Sequence, residues 1–411
     1  MKVSRRRFLG GAGAAVGTLA AGAVLAGCDD QSTADSAPKP TPAQPFYGTH
    51  QMGIIAPTAE YATAIALDVT ASDRDGLVGV LTSISANIEA LTQHDPPEPE
   101  ELLAVPEDAG IVVGVPGKLT SGTLSAGASL FDDRFGLAKL KPAALVPMPD
   151  GLARDELDPA RTHGDLLLVL QAPNRDTVTN AVRRILRDLT GAATARWMLD
   201  VFARPDTTEA PDVTSTRNLM GFKDGTANPD PTLDDLMNDV VWSAGAEDGE
   251  PEWCAGGTYL AARTLRMIVE DWDAQTLDHQ EKVFGRTKVT GAPLDGKVES
   301  DVPVYPKDTA GQKIPLTAHI RLANPRDGEA LLMLRRSMSY ERGIDANGQL
   351  DQGLFFVSYQ RTMQAFLEAQ ARLKGEPLEQ FVITHGGGFY FSFPGPAKGE
   401  YLGAALIDAA G

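Results

Sequence analysis

Two cysteines in 411 residues leave no material for a disulfide framework, and neither stands in a CxxC pair that would hold a metal. Basic charge is also scarce. Lys and Arg number 37 against 55 Asp and Glu, a formal net charge of −18 at pH 7. A chain this acidic carries no electrostatic footprint for nucleic acid or for an anionic membrane surface. No GxSxG elbow is present, so the run His385-Gly386-Gly387-Gly388, which has the look of an esterase oxyanion loop, lacks its nucleophile. What remains, 43% hydrophobic and 22% charged residues, is the composition of a soluble globular protein.

A long apolar run opens the chain. Ser4-Arg5-Arg6-Arg7-Phe8-Leu9 places a twin arginine before Phe-Leu, the arrangement of a Tat export signal. The run from Phe8 to Gly27 approaches spanning length, but its glycines make a poor membrane helix and an ordinary export signal. It ends Leu25-Ala26-Gly27-Cys28, which resembles a bacterial lipobox and predicts a lipidated Cys28 as the only tie to a membrane. Residues 29–45 are polar and proline-rich and read as a tether that cannot bury apolar surface. These features predict an extracytoplasmic protein, a membrane-anchored lipoprotein or a secreted one. With Cys28 lipidated, Cys254 has no partner and reads as a buried packing residue.

About 365 residues remain after the signal and tether, enough for two domains. In the first half, 52–56 reads as a strand, 75–92 as a helix, 110–115 as an apolar strand, 165–172 as a strand, 176–189 as a helix and 197–203 as a strand. A polar, proline-containing stretch at 204–217 marks a boundary. In the second half, 258–272 reads as a long strand, 276–286 as a helix, 354–359 as a strand, 360–373 as a helix and 389–393 as a strand. The repeated order predicts an α+β fold of tandem ferredoxin-like domains, antiparallel sheets with helices, over 46–215 and 216–411.

The segment Gly221-Phe222-Lys223-Asp224-Gly225-Thr226-Ala227-Asn228-Pro229 sets one acid between glycines, where neither helix nor strand is expected to run. Downstream lie His319 in Ala318-His319-Ile320-Arg321-Leu322-Ala323-Asn324-Pro325-Arg326 and Arg335 in Leu332-Met333-Leu334-Arg335-Arg336. An acid, a histidine and an arginine are the parts a haem peroxidase needs. Together with residues 129–137 (SLFDDRFGL), 351–356 (DQGLFF) and 386–389 (GGGF), these segments resemble the dye-decolorising peroxidases, specifically the exported iron-uptake or deferrochelatase-like branch, from about Phe46 to the C-terminus.

The resemblance implies one haem b per chain, bound in the C-terminal domain with His319 on the iron. Asp224 would be the acid/base that moves a proton between the oxygens of hydrogen peroxide. Arg335 would stabilise the charge that develops on the leaving oxygen. It also implies haem contacts at Gly225, Thr226, Ala227, Asn324, Pro325 and Arg326, and leaves Arg336 as a candidate for a haem propionate. Some related enzymes carry Asn two residues after the distal arginine; Ser337 stands there in this chain. A metal-bound imidazole donates its other N–H to an acid or carbonyl, for which Asp308 is the candidate. Trp242, Trp253, Trp272 and Tyr359 are candidate surface relays for substrates too bulky to enter. His50 and His163 read as buried hydrogen-bonding residues, and His94 and His279 as solvated. Two functions stay open: a peroxidase acting on organic or metal reductants, and a haem- and iron-uptake component working with iron-uptake proteins. A haem-binding lipoprotein without turnover is the plainest third reading, and an oligomer is compatible with each.

Overall fold

The computed structural model describes residues 43–97, 102–106, 108–203, 216–326 and 331–411. The export signal, Cys28, the tether up to 42 and the boundary stretch 204–215 lie outside the described residues. No described helix is long and apolar enough to cross a membrane.

Eight main strands carry the fold: β1 (Tyr61–Val69), β2 (Ser121–Gly127), β3 (Leu166–Ala172), β4 (Ala193–Phe202), β5 (Thr258–Met267), β6 (Met338–Ile344), β7 (Leu350–Gln360) and β8 (Val382–Ser392). The first four lie in the order β2-β3-β1-β4 and the last four in the order β8-β5-β7-β6, all antiparallel. These are the same arrangement twice, the ferredoxin-like order expected from the repeated pattern. The two sheets join where β8 pairs with β2 and β4 meets β6 at Phe202 and Ser339. One closed sheet results and has no free edge among these strands.

Closure explains the packing. Side chains from both halves, among them Ala64, Leu199, Leu260, Phe355 and Tyr390, meet on one face. The other face of β1, with Ile65 and Leu67, packs on helix α1 (Arg74–Gln93) through Leu77, Leu81 and Ile84 and on α2 (Arg175–Asp188) through Val178 and Ile185. Asp73 and Asn174 cap the two helices by accepting from Gly76 N and Thr177 N. A strand covered on both faces shows no apolar–polar alternation, which is why 61–69 and the small-residue strand 121–127 give no strand signal in the sequence.

Several expectations are corrected. Residues 52–54 form a 3-10 turn, and 110–115 form turns where strands were expected. The long strand from 258 stops at Met267, and Val269–Asp273 is helical. The glycine run after His385 lies inside β8. There an added Cβ on Gly387 would lie 2.0 Å from the Ala262 carbonyl oxygen, so the run serves close strand packing rather than an oxyanion loop. Trp242, Trp253, Trp272 and Tyr359 are all at most 5% exposed. Trp253 and Trp272 donate their indole N–H to the Leu140 and Met220 carbonyls, and Trp242 stacks on His50. They are core residues, not surface relays. Cys254 is buried without a disulfide, as expected, and burial pushes its thiol pKa up.

Asp155, in the first half, forms an ion pair with Arg263 on β5, both side chains at most 3% exposed. Thr384 on β8 also accepts from Arg263. Burial raises the Asp155 pKa and lowers that of Arg263, against their mutual attraction. Removing one member of such a pair strands a charge in the interior. Asp155→Ala is therefore expected to lose about 3–5 kcal/mol of unfolding free energy, and the Asp155→Leu/Arg263→Met double variant to lose less than the single one. Guanidinium chloride unfolding followed by circular dichroism checks both.

Candidate active site

A short hairpin, Thr216–Arg217 paired with Lys223–Asp224, carries the acid. Asp224 ends its second strand, and Gly225 with φ +100° turns the chain away. Arg335 lies in a two-residue strand, Leu334–Arg335, paired with Ser358 and Tyr359 of β7. The segments are tied directly. Asn228 Nδ2 donates to the Arg335 carbonyl at 2.9 Å, and Arg335 N–H donates to Asn228 Oδ1 at 3.1 Å. Arg335 Nη2 donates to the Thr226 carbonyl at 2.6 Å. Its Nη1 then stands 4.0 Å from Asp224 Oδ1.

His319 opens a short helix, α3 (His319–Ala323), ended by Asn324 and Pro325. Helix α4 (Met363–Leu373) holds α3 at its C-terminal end: Arg372 donates to the carbonyls of Leu322 and Ala323 at 3.1 and 3.3 Å. Beyond α4 comes Glu376, and the His319 Nδ1–H donates to its carboxylate, 2.9 Å from Oε2 and 3.1 Å from Oε1. The carboxylate only accepts, so this bond fixes the tautomer and leaves the Nε2 lone pair free. Burial disfavours the imidazolium, but the Glu376 charge and hydrogen bond overcome it and raise the His319 pKa; Arg335 opposes and Asp224 adds slightly.

These residues share one cavity of about 270 Å³. His319, Glu376, Asp224, Gly225, Thr226, Ala227, Asn324, Arg326 and Arg335 line it, with apolar walls from Leu265, Phe284, Leu354, Phe356 and Phe366. The His319 side chain, 26% exposed, faces this space. Ala227 and Arg326 adopt left-handed φ of +64° and +55°, a local strain of about 1–2 kcal/mol for each, and both stand at the cavity. Arg326 N–H is held by Asn324 Oδ1 at 3.1 Å.

Some expectations fall away. Pro325, Arg336 and Ser337 are not among the lining residues. Arg336 points into the protein beside Tyr359, where burial brings its pKa down to about 10, and Ser337 Oγ accepts from Val357 N–H on β7 at 3.4 Å. Asp308 is not the partner of His319: its carboxylate accepts from the backbone N–H of Gln312 and Ile314 and lies 3.6 Å from Arg321. Glu376, the true partner, is 57 residues from His319, too far for any local pattern to link them. Arg286, also missed, is a buried lining residue whose Nη1 donates to the Gly291 carbonyl at 2.6 Å. His50 Nδ1–H donates to the Gly256 carbonyl at 2.7 Å, and His385 lies outside the cavity lining.

Family models for the Dyp-type peroxidase N-terminal and C-terminal domains match residues 51–203 and 215–397. The chain belongs to the Dyp-type peroxidase family. It is 43% identical to a deferrochelatase of Shigella sonnei over 414 residues, 98% of this chain and 97% of that one. It is 44% identical to a deferrochelatase of Escherichia coli strain K12 over 371 residues, 89% of this chain and 87% of that one. Among solved structures, a DyP-type peroxidase from Cellulomonas bogoriensis matches with TM-score 0.78 at 35% identity, covering 89% of this chain and 98% of that one. Ferric DtpA from Streptomyces lividans matches with TM-score 0.79 at 32% identity, covering 90% and 98%.

The family cofactor is haem, and the cavity suits it. An imidazole with one nitrogen engaged and one free stands against a largely apolar space, with Arg286 and Arg326 available to anionic groups. Glu376→Ala leaves His319 Nδ1 without its acceptor. It is expected to weaken haem retention by roughly 10–100-fold, measured as the rate of haem transfer to apomyoglobin, with Glu376→Asp closer to wild type.

Proposed function

We propose that the protein is an exported haem b peroxidase in which His319 holds the iron, Asp224 carries the proton and Arg335 stabilises charge. The observation that carries this reading is one cavity lined by all three, with His319 Nδ1 already committed to Glu376. Bound haem supplies a redox iron that hydrogen peroxide oxidises and a small organic or metal reductant restores. Asp224 takes the proton from one peroxide oxygen and returns it to the other, directly or through a water. Arg335, fixed by Asn228 and by the Thr226 carbonyl, turns its remaining donors toward the leaving oxygen. Arg286 and Arg326, which line the cavity, would be the residues to hold the anionic propionates. The apolar walls exclude water and strengthen each of these interactions.

A second reading, release of iron from haem, is supported by the 43% identity to proteins named deferrochelatase over nearly the whole chain. It uses the same cavity, and iron-uptake proteins would be the partners.

Asp224→Asn keeps the shape and removes the base, so the second-order rate of the Soret change on mixing with peroxide should fall by roughly 10²–10⁴-fold. Arg335→Leu should also be slow and should in addition lose affinity for fluoride and cyanide. Stopped-flow absorbance on both variants decides. A wild-type rate in Asp224→Asn would remove the acid from the mechanism. Protoporphyrin fluorescence from the same haem-loaded protein separates the readings, since iron release makes it grow and peroxidase turnover alone does not.

Export would rest on Arg5 and Arg6, and membrane anchoring on Cys28. Replacing both arginines by Lys should trap precursor in the cytoplasm, and Cys28→Ala should move the protein from membrane to soluble extracytoplasmic fraction. Fractionation and immunoblotting check both; a Cys28→Ala protein that stays on the membrane would exclude lipidation as the anchor.

A further inference from the structure

Glu299 stands behind the Asp224 turn and does not line the cavity. Its Oε2 lies 2.8 Å from Lys223 Nζ, and its Oε1 accepts from Thr226 Oγ1 at 2.7 Å. One carboxylate therefore grips the residue before Asp224 and the residue after Gly225. The Lys223 and Glu299 side chains are 1% and 5% exposed, so the pair is inside the protein, where neither charge has water as an alternative. Arg286 Nη1 donates to the Glu299 carbonyl at 3.1 Å and so fixes the backbone from which the carboxylate reaches.

The loop that leads to Glu299 holds the other strand of the hairpin as well. Arg217 donates to the carbonyls of Lys288 and Val289, both at 2.7 Å. Within that loop Gly291, with φ +74°, leaves room for Lys223 to pass, since an added Cβ would lie 2.8 Å from Lys223 Cδ. The hairpin has only two paired residues on each side, and two-stranded ribbons of that size do not hold themselves in water. Its geometry must come from outside, and the 286–299 loop is what touches it on both strands.

We propose that Glu299 is the positioning residue of the active-site acid. Through Lys223 and Thr226 it fixes the short arc that carries Asp224 into the cavity. The inference rests on Asp224 acting as the proton carrier. Glu299 itself touches neither cofactor nor substrate; its effect is on where the Asp224 carboxylate points, and a displacement of about 1 Å at such a group can cost on the order of 10²-fold in rate.

The test uses haem-loaded protein and two variants. Glu299→Gln keeps the size and an acceptor for Thr226 but removes the charge that meets Lys223. Thr226→Val removes the hydroxyl contact and leaves the buried ion pair, so it folds even if the first variant does not. Amide hydrogen exchange in 222–227 should quicken by roughly 10-fold or more in both, while 61–69 in β1 keeps wild-type protection. The peroxide rate should fall with the reductant KM unchanged, and in an Asp224→Asn background Glu299→Gln should add no further loss. Wild-type exchange in 222–227 in both variants would overturn the proposal. So would a loss of protection spread equally over β1, or an equal further loss of rate in the Asp224→Asn background, since either marks a general structural role. If Asp224→Asn alone reacts at the wild-type rate, the proton-carrier reading falls, and the exchange result still decides whether Glu299 holds the turn.

Discussion

The Asn228 carboxamide, which donates to and accepts from the backbone of Arg335, is the bond on which the arrangement of the site depends. It copies the two-way exchange of a strand pair and joins segments 107 residues apart in sequence. Arg335 is otherwise at the end of a two-residue strand on β7, and Asp224 at the end of a two-residue strand in a separate hairpin. Neither element is long enough to register itself. With the carboxamide in place, the Arg335 guanidinium reaches the Thr226 carbonyl, and Asp224 and Arg335 face the same cavity. The same logic recurs at His319. A five-residue helix is marginal alone, and α4 supplies both the Arg372 donors that end it and, three residues past the helix, the Glu376 carboxylate that orients the imidazole.

The closed sheet is what permits such short elements. Each half repeats one strand order, and the union of the two buries side chains from both halves against each other. The buried Asp155–Arg263 pair spans the halves as β8 passes by. Stability supplied by that core leaves the cavity rim free to hold features that cost energy, such as the left-handed Ala227 and Arg326.

That Asp224, His319 and Arg335 belong together was legible in the sequence because each lies in a local motif, Asp224 before Gly225, His319 before Asn324-Pro325, Arg335 in its arginine pair, and the three line one cavity. The amphipathic helices 74–93 and 175–188 were legible for the same reason, since helical periodicity is a local signal. The strands β1 and β2 were not, because burial on both faces or small side chains erases the period of two. Glu376 was missed in favour of Asp308, although Asp308 is nearer in sequence. The reason is that Asp308 is consumed by the turn it caps, accepting backbone N–H groups from 312–314 and pairing with Arg321. A carboxylate's nearness along the chain says nothing of which donors fill its lone pairs. Arg286 and Glu299 were missed on the same ground; their partners are brought together by a loop whose course no residue pattern prescribes.

Distances separate the charged pairs that hold the site together from the Asp224–Arg335 pair that lines its cavity. Lys223 and Glu299 are 2.8 Å apart, and His319 and Glu376 2.9 Å. These are closed hydrogen-bonded pairs, with geometry that a third molecule could enter only by breaking them. Asp224 and Arg335 stand 4.0 Å apart, beyond hydrogen-bond reach, with side chains 18% and 28% exposed to the cavity they line. The attraction between them closes no hydrogen bond, while Arg335 Nη2 is held by the Thr226 carbonyl. In the proposed mechanism this open pair is where hydrogen peroxide, able to donate to the carboxylate and accept from the guanidinium, would complete the contact that the protein leaves unmade.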